Sequence, residues 1–92
     1  MSKLKTEDDV KELIEEIGYE DVLIFSNPSY ASAFVGISED NRAVYDFDKM
    51  VEYLMEVEGW SDEEAVGFIE YNSIRALPYY PNSPIIMYRL SE

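Results

Sequence analysis

Residues 42–69, RAVYDFDKMVEYLMEVEGWSDEEAVGFI, hold the order of elements on which the fold turns. Arg42 to Tyr45 is short and apolar, and reads as a strand. Asp46 or Asp48 then offers a side-chain oxygen to cap a helix. Phe47, Met50, Val51, Leu54 and Met55 recur at helical spacing up to about Glu58. Gly59 ends that helix, because the left-handed conformation that closes a helix costs glycine nothing. Ser61-Asp62-Glu63-Glu64 is a capping box, with Ser61 at N-cap and Glu64 at N3. Ala65, Phe68, Ile69 and Asn72 continue one face of a third helix, which fades by Leu77, ahead of Pro78.

Toward the N-terminus, Thr6 caps a first helix and Glu7, Asp8 and Asp9 load the positive end of its dipole. Val10, Leu13, Ile14 and Ile17 make its apolar stripe, and Gly18 stands where a C′ glycine belongs. Asp21 to Phe25 is too short for a helix and reads as a strand or extended segment. Asn27-Pro28-Ser29 signals a turn. Ala31 to Ile37 pairs with Arg42 to Tyr45 as a hairpin across Ser38-Glu39-Asp40-Asn41. Strict alternation puts Ala33, Val35 and Ile37 on one face of its first strand and Phe34 on the other. Toward the C-terminus, Tyr79-Tyr80-Pro81-Asn82-Ser83-Pro84 is an aromatic loop stiffened by proline, and Pro84 opens a last strand, Ile85 to Tyr88. Asn72 falls where the helical period calls for an apolar residue. Its amide is therefore expected to be buried and tied to the hairpin or the last loop. Trp60, at N′ of the third helix, should staple the turn against Ala65 at N4. The expected fold is one α+β domain over residues 1–92, three helices packed on a three- to four-stranded, mainly antiparallel sheet.

Charge is the outstanding compositional feature. The 92 residues carry 20 Asp and Glu against 7 Lys and Arg, a net −13, with no histidine or cysteine. Apolar residues at 47% still suffice for a core, so this is no disordered acidic tail. Like charge at this density repels nucleic-acid phosphates and anionic membranes, and admits a basic protein or nucleoprotein complex as partner. No stretch reaches the roughly 20 apolar residues of a membrane span, and the start has no apolar leader core. A cytoplasmic protein is the expectation.

Catalytic chemistry has little to work with. Histidine and cysteine are absent, and no carboxylate pair sits in a recognisable catalytic frame. Asp46-x-Asp48 with Glu52 offers oxygen ligands to a hard cation, but lacks the glycine and late glutamate of a calcium loop. Helix capping and solvation explain these residues, so no cofactor, metal or catalytic residue is expected.

The acidic helix faces are the stronger candidate. Glu12 and Glu16 lie away from the first helix's apolar stripe. Asp48, Glu52 and Glu56 recur every fourth residue and form a ridge on the second. Carboxylates held on rigid helices can present charge at separations comparable with those of DNA phosphates, which is the physical basis of DNA mimicry. A solubilising coat is the other reading of the same charge. Tyr79 and Tyr80, in their proline-bracketed loop, either anchor an interface or fold their rings over the core.

The string Val44-Tyr45-Asp46, Gly59-Trp60-Ser61-Asp62-Glu63-Glu64-Ala65 and Phe68-Ile69-Glu70-Tyr71-Asn72, closed by Pro84 before an apolar strand, resembles a group of small proteins of phages, prophages and other mobile elements. The loop Tyr79-Tyr80-Pro81-Asn82 lacks the glycine associated with that group. The resemblance implies an inhibitor of host defence, with anti-CRISPR proteins the prime example and a CRISPR effector the suspected partner. Joined to the charge, it gives an expected contact set of Glu12, Glu16, Asp48, Glu52 and Glu56, with Tyr79 and Tyr80 as anchors. The alternative is an accessory interaction module or homodimer whose charge serves solubility.

Overall fold

Ser38 to Arg42 is where the chain first doubles back. Ser38 N–H donates to the Arg42 carbonyl at 2.7 Å, Arg42 N–H donates to Ser38 Oγ at 3.1 Å, and Asn41 takes the left-handed conformation the turn needs (φ 67°). The structure, a computed structural model, describes residues 6–26 and 28–90. The order is α1 (Glu7–Glu16), a 3₁₀ turn (Ala31–Ala33), β1 (Phe34–Ile37), β2 (Ala43–Asp46), α2 (Phe47–Glu58), α3 (Asp62–Phe68), a π-helical stretch (Ile69–Ile74), a 3₁₀ turn (Leu77–Tyr79) and β3 (Ile85–Met87). The three strands form one mixed sheet in the order β1-β2-β3. β1 and β2 are antiparallel, as their tight turn dictates, while β2 and β3 are parallel, the helices between them supplying the long crossover that such a pair needs. The fold is α+β, with three α-helices and a strand count within the expected range.

The caps form where the sequence places them. Thr6 and Asp9 make one reciprocal capping box, and Ser61 and Glu64 another. Gly18 (φ 90°) closes α1 in a Schellman arrangement: its N–H donates to Glu15 O and Tyr19 N–H to Ile14 O. Gly59 (φ 72°) closes α2.

Several local expectations need correction. Ala31 to Ala33 is a 3₁₀ turn, so β1 starts at Phe34. A bulge between Phe34 and Gly36 breaks the alternation and leaves Val35 outside, 54% exposed. The segment after Asp21 has no regular secondary structure and pairs with no strand among the described residues; Phe25 N–H donates instead to the Tyr45 hydroxyl at 3.2 Å. The expected turn at Asn27 involves a residue outside those described. Trp60 finds its ring partner in Phe68, centroids 5.2 Å apart, rather than stapling on Ala65 alone. Tyr88 lies just past β3 and is exposed, its ring beside Phe47 at 5.0 Å.

Asn72 is the most instructive miss. It is exposed, and its Nδ2 donates to the Phe68 carbonyl one turn back. From Ile69 the helix widens to π geometry, which fits an extra residue into the turn and slips the inward face by one position. Ser73 takes the buried place, its hydroxyl 2.7 Å from the Tyr30 hydroxyl.

Two apolar clusters hold the elements. Tyr30, Tyr45, Met50, Leu54, Ala65 and Ile69 centre the larger; Val10, Ile14 and Ala31 make the smaller under α1. Tyr30 sits in the left-handed region (φ 51°), where a bulky residue is strained. Complete burial, an edge-on contact with Phe25 at 5.1 Å and the Ser73 hydrogen bond hold it there. Each aromatic contact of this kind contributes about 0.5–1.5 kcal/mol beyond area burial.

Candidate functional site

The residues that α1 and α2 bury decide which carboxylates they show. Val10 and Ile14 turn inward on α1, which leaves Glu12 and Glu16 exposed. Met50 and Leu54 turn inward on α2, which leaves Asp48, Glu52 and Glu56 exposed as one ridge. Successive members of that ridge are about 6 Å apart along the helix axis. The 3₁₀ turn positions both helices: Ala31 packs in the cluster under α1 and Ala33 in the cluster under α2.

Among the described residues little positive charge answers this surface. Lys11 meets Glu7 at 3.4 Å and Lys49 meets Glu52 at 3.8 Å, each within its own helix and largely in solvent. Such pairs are worth about 0–1 kcal/mol. Among the described residues Glu12, Glu16, Asp48 and Glu56 make no ion pair. Like charges four residues apart on a helix cost about 0.2–0.5 kcal/mol per pair. Repulsion between Glu52 and Glu56 therefore weakens α2, while Asp48, in its first turn, is favoured by the helix dipole.

Asp46 belongs to a different environment. Its carboxylate is buried, accepts hydrogen bonds from Asp48 N–H at 3.0 Å and Lys49 N–H at 3.4 Å, and meets Arg89 Nε at 2.9 Å. The oxygens that an Asp46-x-Asp48 cation site would need are thus engaged in a cap and an ion pair. Among the described residues there is no cluster of three or more acidic side chains placed to hold a metal ion. No helix among them is long and apolar enough to cross a membrane.

Tyr79 and Tyr80 are exposed, at 82% and 55%, so the rings do not fold over the core. Tyr79 ends a 3₁₀ turn stiffened by Pro78. Tyr80 stands on the rim of a groove of about 470 Å³, with Leu23, Phe25, Phe68, Leu77 and Pro84 along its walls and no charged residue among the lining. A second hollow on the other side of Tyr80, about 570 Å³, reaches Ile85, Ile86 and Tyr88; Arg42 is its single charged residue. Tyr80 therefore stands between two hollows whose linings hold no carboxylate, and does not extend the acidic ridges.

That surface has a sequence signal that helix-by-helix reading passes over. There is no Asp or Glu from Val22 to Ser38, and none from Tyr71 to Leu90. The groove is built where these two stretches meet, with Leu23, Ile24, Phe25, Ser26 and Pro28 from the first and Ser73, Leu77, Tyr80 and Pro84 from the second. All three arginines, Arg42, Arg75 and Arg89, lie in or beside the second stretch or its hollow. Arg75 stacks over the Tyr71 ring at 4.8 Å, and Arg42 Nε donates to the Ser83 carbonyl at 2.8 Å.

Two tyrosine hydroxyls inside the core titrate abnormally. Burial pushes the Tyr45 phenol up to about 12 against the lowering effect of its bond from Phe25 N–H, and the Glu7 carboxylate adds to the rise. Burial also raises Tyr30, while its bond with Ser73 opposes the shift. Both phenols lie wholly inside the core. Set beside known proteins, the chain matches no protein-family profile, no curated protein and no solved structure.

Proposed function

We propose that this protein is a non-enzymatic inhibitor that occupies a basic, nucleic-acid-binding groove of a host complex with the carboxylates of α1 and α2. The observation that carries this reading is the solvated ridge of Asp48, Glu52 and Glu56, with Glu12 and Glu16 on α1. These carboxylates stand on rigid helices, four of the five lack an ion pair among the described residues, and their mutual repulsion costs stability. A surface kept at such a cost is best explained by a partner that supplies the missing cations. The sequence resemblance to mobile-element proteins points to a CRISPR effector as that partner, in the cytoplasm of the host cell.

The test is displacement of labelled DNA from a guide-loaded CRISPR effector, followed by fluorescence anisotropy. The protein should release the DNA, and less effectively as salt rises, because exposed charge contacts are screened. A variant with Glu12, Glu16, Asp48, Glu52 and Glu56 all changed to Lys should lose about tenfold or more in potency. Equal potency in that variant, or no release from any effector type, leaves the charge as a solubilising coat and overturns the reading.

A further inference from the structure

Trp60 and Phe68, half-buried and with ring centroids 5.2 Å apart, line two neighbouring hollows. The first, about 270 Å³, is walled by Tyr53, Leu54 and Val57 with the two rings, and its one charged residue is Glu58. The second, about 400 Å³, adds Glu63, Glu64 and Gly67 to the same rings. Every charged residue lining this cleft is therefore a carboxylate. The sequence around it holds seven Asp and Glu from Met50 to Ile74 and no lysine or arginine.

Charge selects the occupant. Glu58 is the last residue of α2, whose final turn has no basic residue, so an anion stands at the negative end of the helix dipole. That placement works against α2, whereas the dipole favours Glu63 and Glu64 in the first turn of α3. Beside Glu58, tryptophan is the ring that attracts a cation most strongly. Gly67 marks where the occupant comes close. A glycine inside α3 weakens the helix, and this one takes no left-handed conformation that would require it. Beyond its chain neighbours and its own helix backbone, no described atom lies within 4 Å of where a Cβ would stand. The missing side chain thus serves no packing within the chain and leaves the backbone open to close approach. At about 270 Å³ the first hollow falls below the roughly 300–1,000 Å³ of small-molecule pockets and suits a single side chain. Of the two cationic side chains, arginine fits apolar and aromatic walls, because its planar guanidinium is weakly hydrated and stacks on rings, while the lysine ammonium is strongly hydrated. The chain already makes such a contact within itself, Arg75 over the Tyr71 ring at 4.8 Å.

We propose that the Trp60–Phe68 cleft docks an arginine-bearing segment of a basic partner protein, its guanidinium entering the hollow beside Glu58 and its backbone passing over Gly67. This site uses none of the five carboxylates assigned to a host groove and does not rest on that assignment.

Trp60 is the single tryptophan of the chain, so its fluorescence reads the site directly. The probe is a capped Gly-Arg-Gly peptide, titrated into the full chain at about 0.15 M salt. The same peptide with lysine, or with citrulline as the uncharged isostere of arginine, is titrated beside it. The arginine peptide should give a saturable change in Trp60 emission and bind about threefold or more tighter than the lysine peptide; the citrulline peptide should have no effect. Glu58→Gln should weaken the arginine peptide about threefold or more, while Glu39→Gln, the same charge change in the β1–β2 turn, should leave it unchanged. Gly67→Leu should obstruct the approach and weaken binding without lowering Tm, because leucine is the better helix former. Should Gly67→Leu lose its fold, Glu58→Gln, at an exposed side chain, decides alone. No saturable response, an equal response to lysine, equal effects of Glu58→Gln and Glu39→Gln, or unchanged binding in a folded Gly67→Leu would overturn the proposal. No nucleic acid or effector enters these titrations, so this assignment and that of the host groove fail separately.

Discussion

The outer faces of α1 and α2 and the groove under Tyr80 are surfaces of one small domain, and they are opposites. The first carries Glu12, Glu16, Asp48, Glu52 and Glu56 in open solvent. The second is lined by Leu23, Phe25, Phe68, Leu77, Tyr80 and Pro84 without a charged residue. A coat serving solubility alone has no need to leave an apolar, aromatic surface bare. The difference teaches that the charge is partitioned between surfaces rather than spread over the whole molecule.

Asp46 and Arg89 join the start of α2 to the tail beyond β3, and breaking that joint should have the largest effect. Asp46 caps α2 and receives Arg89 from the tail beyond β3. Asp46→Ala removes both a helix cap and a charge-assisted hydrogen bond, for an expected loss of about 2–3 kcal/mol in urea unfolding. Asp46→Asn keeps the capping oxygen and loses only the contact with Arg89, so it should cost less than Asp46→Ala by about 1 kcal/mol, the share of the cap. Equal losses in both variants would mean that the charge, not the cap, is what holds the joint.

A smaller effect should appear at alkaline pH. The folded pKa of Tyr45 is raised from 10.0 to about 12, partly by Glu7, so the acidic helix reaches electrostatically into the core. The folded state holds this phenolic proton more tightly than the unfolded chain does. Its stabilising effect is therefore complete below pH 10 and drains away as pH rises toward 12. Tyr45→Phe should flatten that decline, while losing about 0.5–1.5 kcal/mol at neutral pH with the bond from Phe25 N–H. An unfolding series from pH 8 to 12, read beside tyrosinate absorbance, checks the sign.

The smallest effect sharpens the contrast most. Glu56→Gln relieves repulsion from Glu52 four residues earlier and removes an anion from the negative end of α2. It should stabilise the fold by about 0.2–0.5 kcal/mol, measured as a rise in Tm that added salt diminishes. A loss of stability would show that the ridge supports the helix and needs no partner to explain it.

Local chemistry was legible wherever it was self-contained. Thr6, Gly18, Gly59 and the Ser61–Glu64 box end or begin helices through bonds to their own neighbours, so reading the string was enough. Exposure of the acidic ridge followed from helical periodicity in the same way. Periodicity misled where the backbone left its ideal path: the β1 bulge turned Val35 outward, and the π-helical stretch put Ser73 in the place expected of Asn72. Nothing local announced either, because each depends on what packs against it. For Ser73 that is Tyr30, far away in the chain and itself held in a left-handed conformation by its buried contacts.

The sequence by itself determined three capped helices, a hairpin, a closing strand and the side of the first two helices that faces water. These follow from capping, turn chemistry and apolar spacing, which act over a few residues. Only the tertiary structure decided that β3 runs parallel to β2. It alone brought residues of the stretches 22–28 and 73–84 together around a groove whose lining holds no charged residue among those described. Those outcomes belong to the packing of α2 and α3 between distant strands, and no short-range rule contains them.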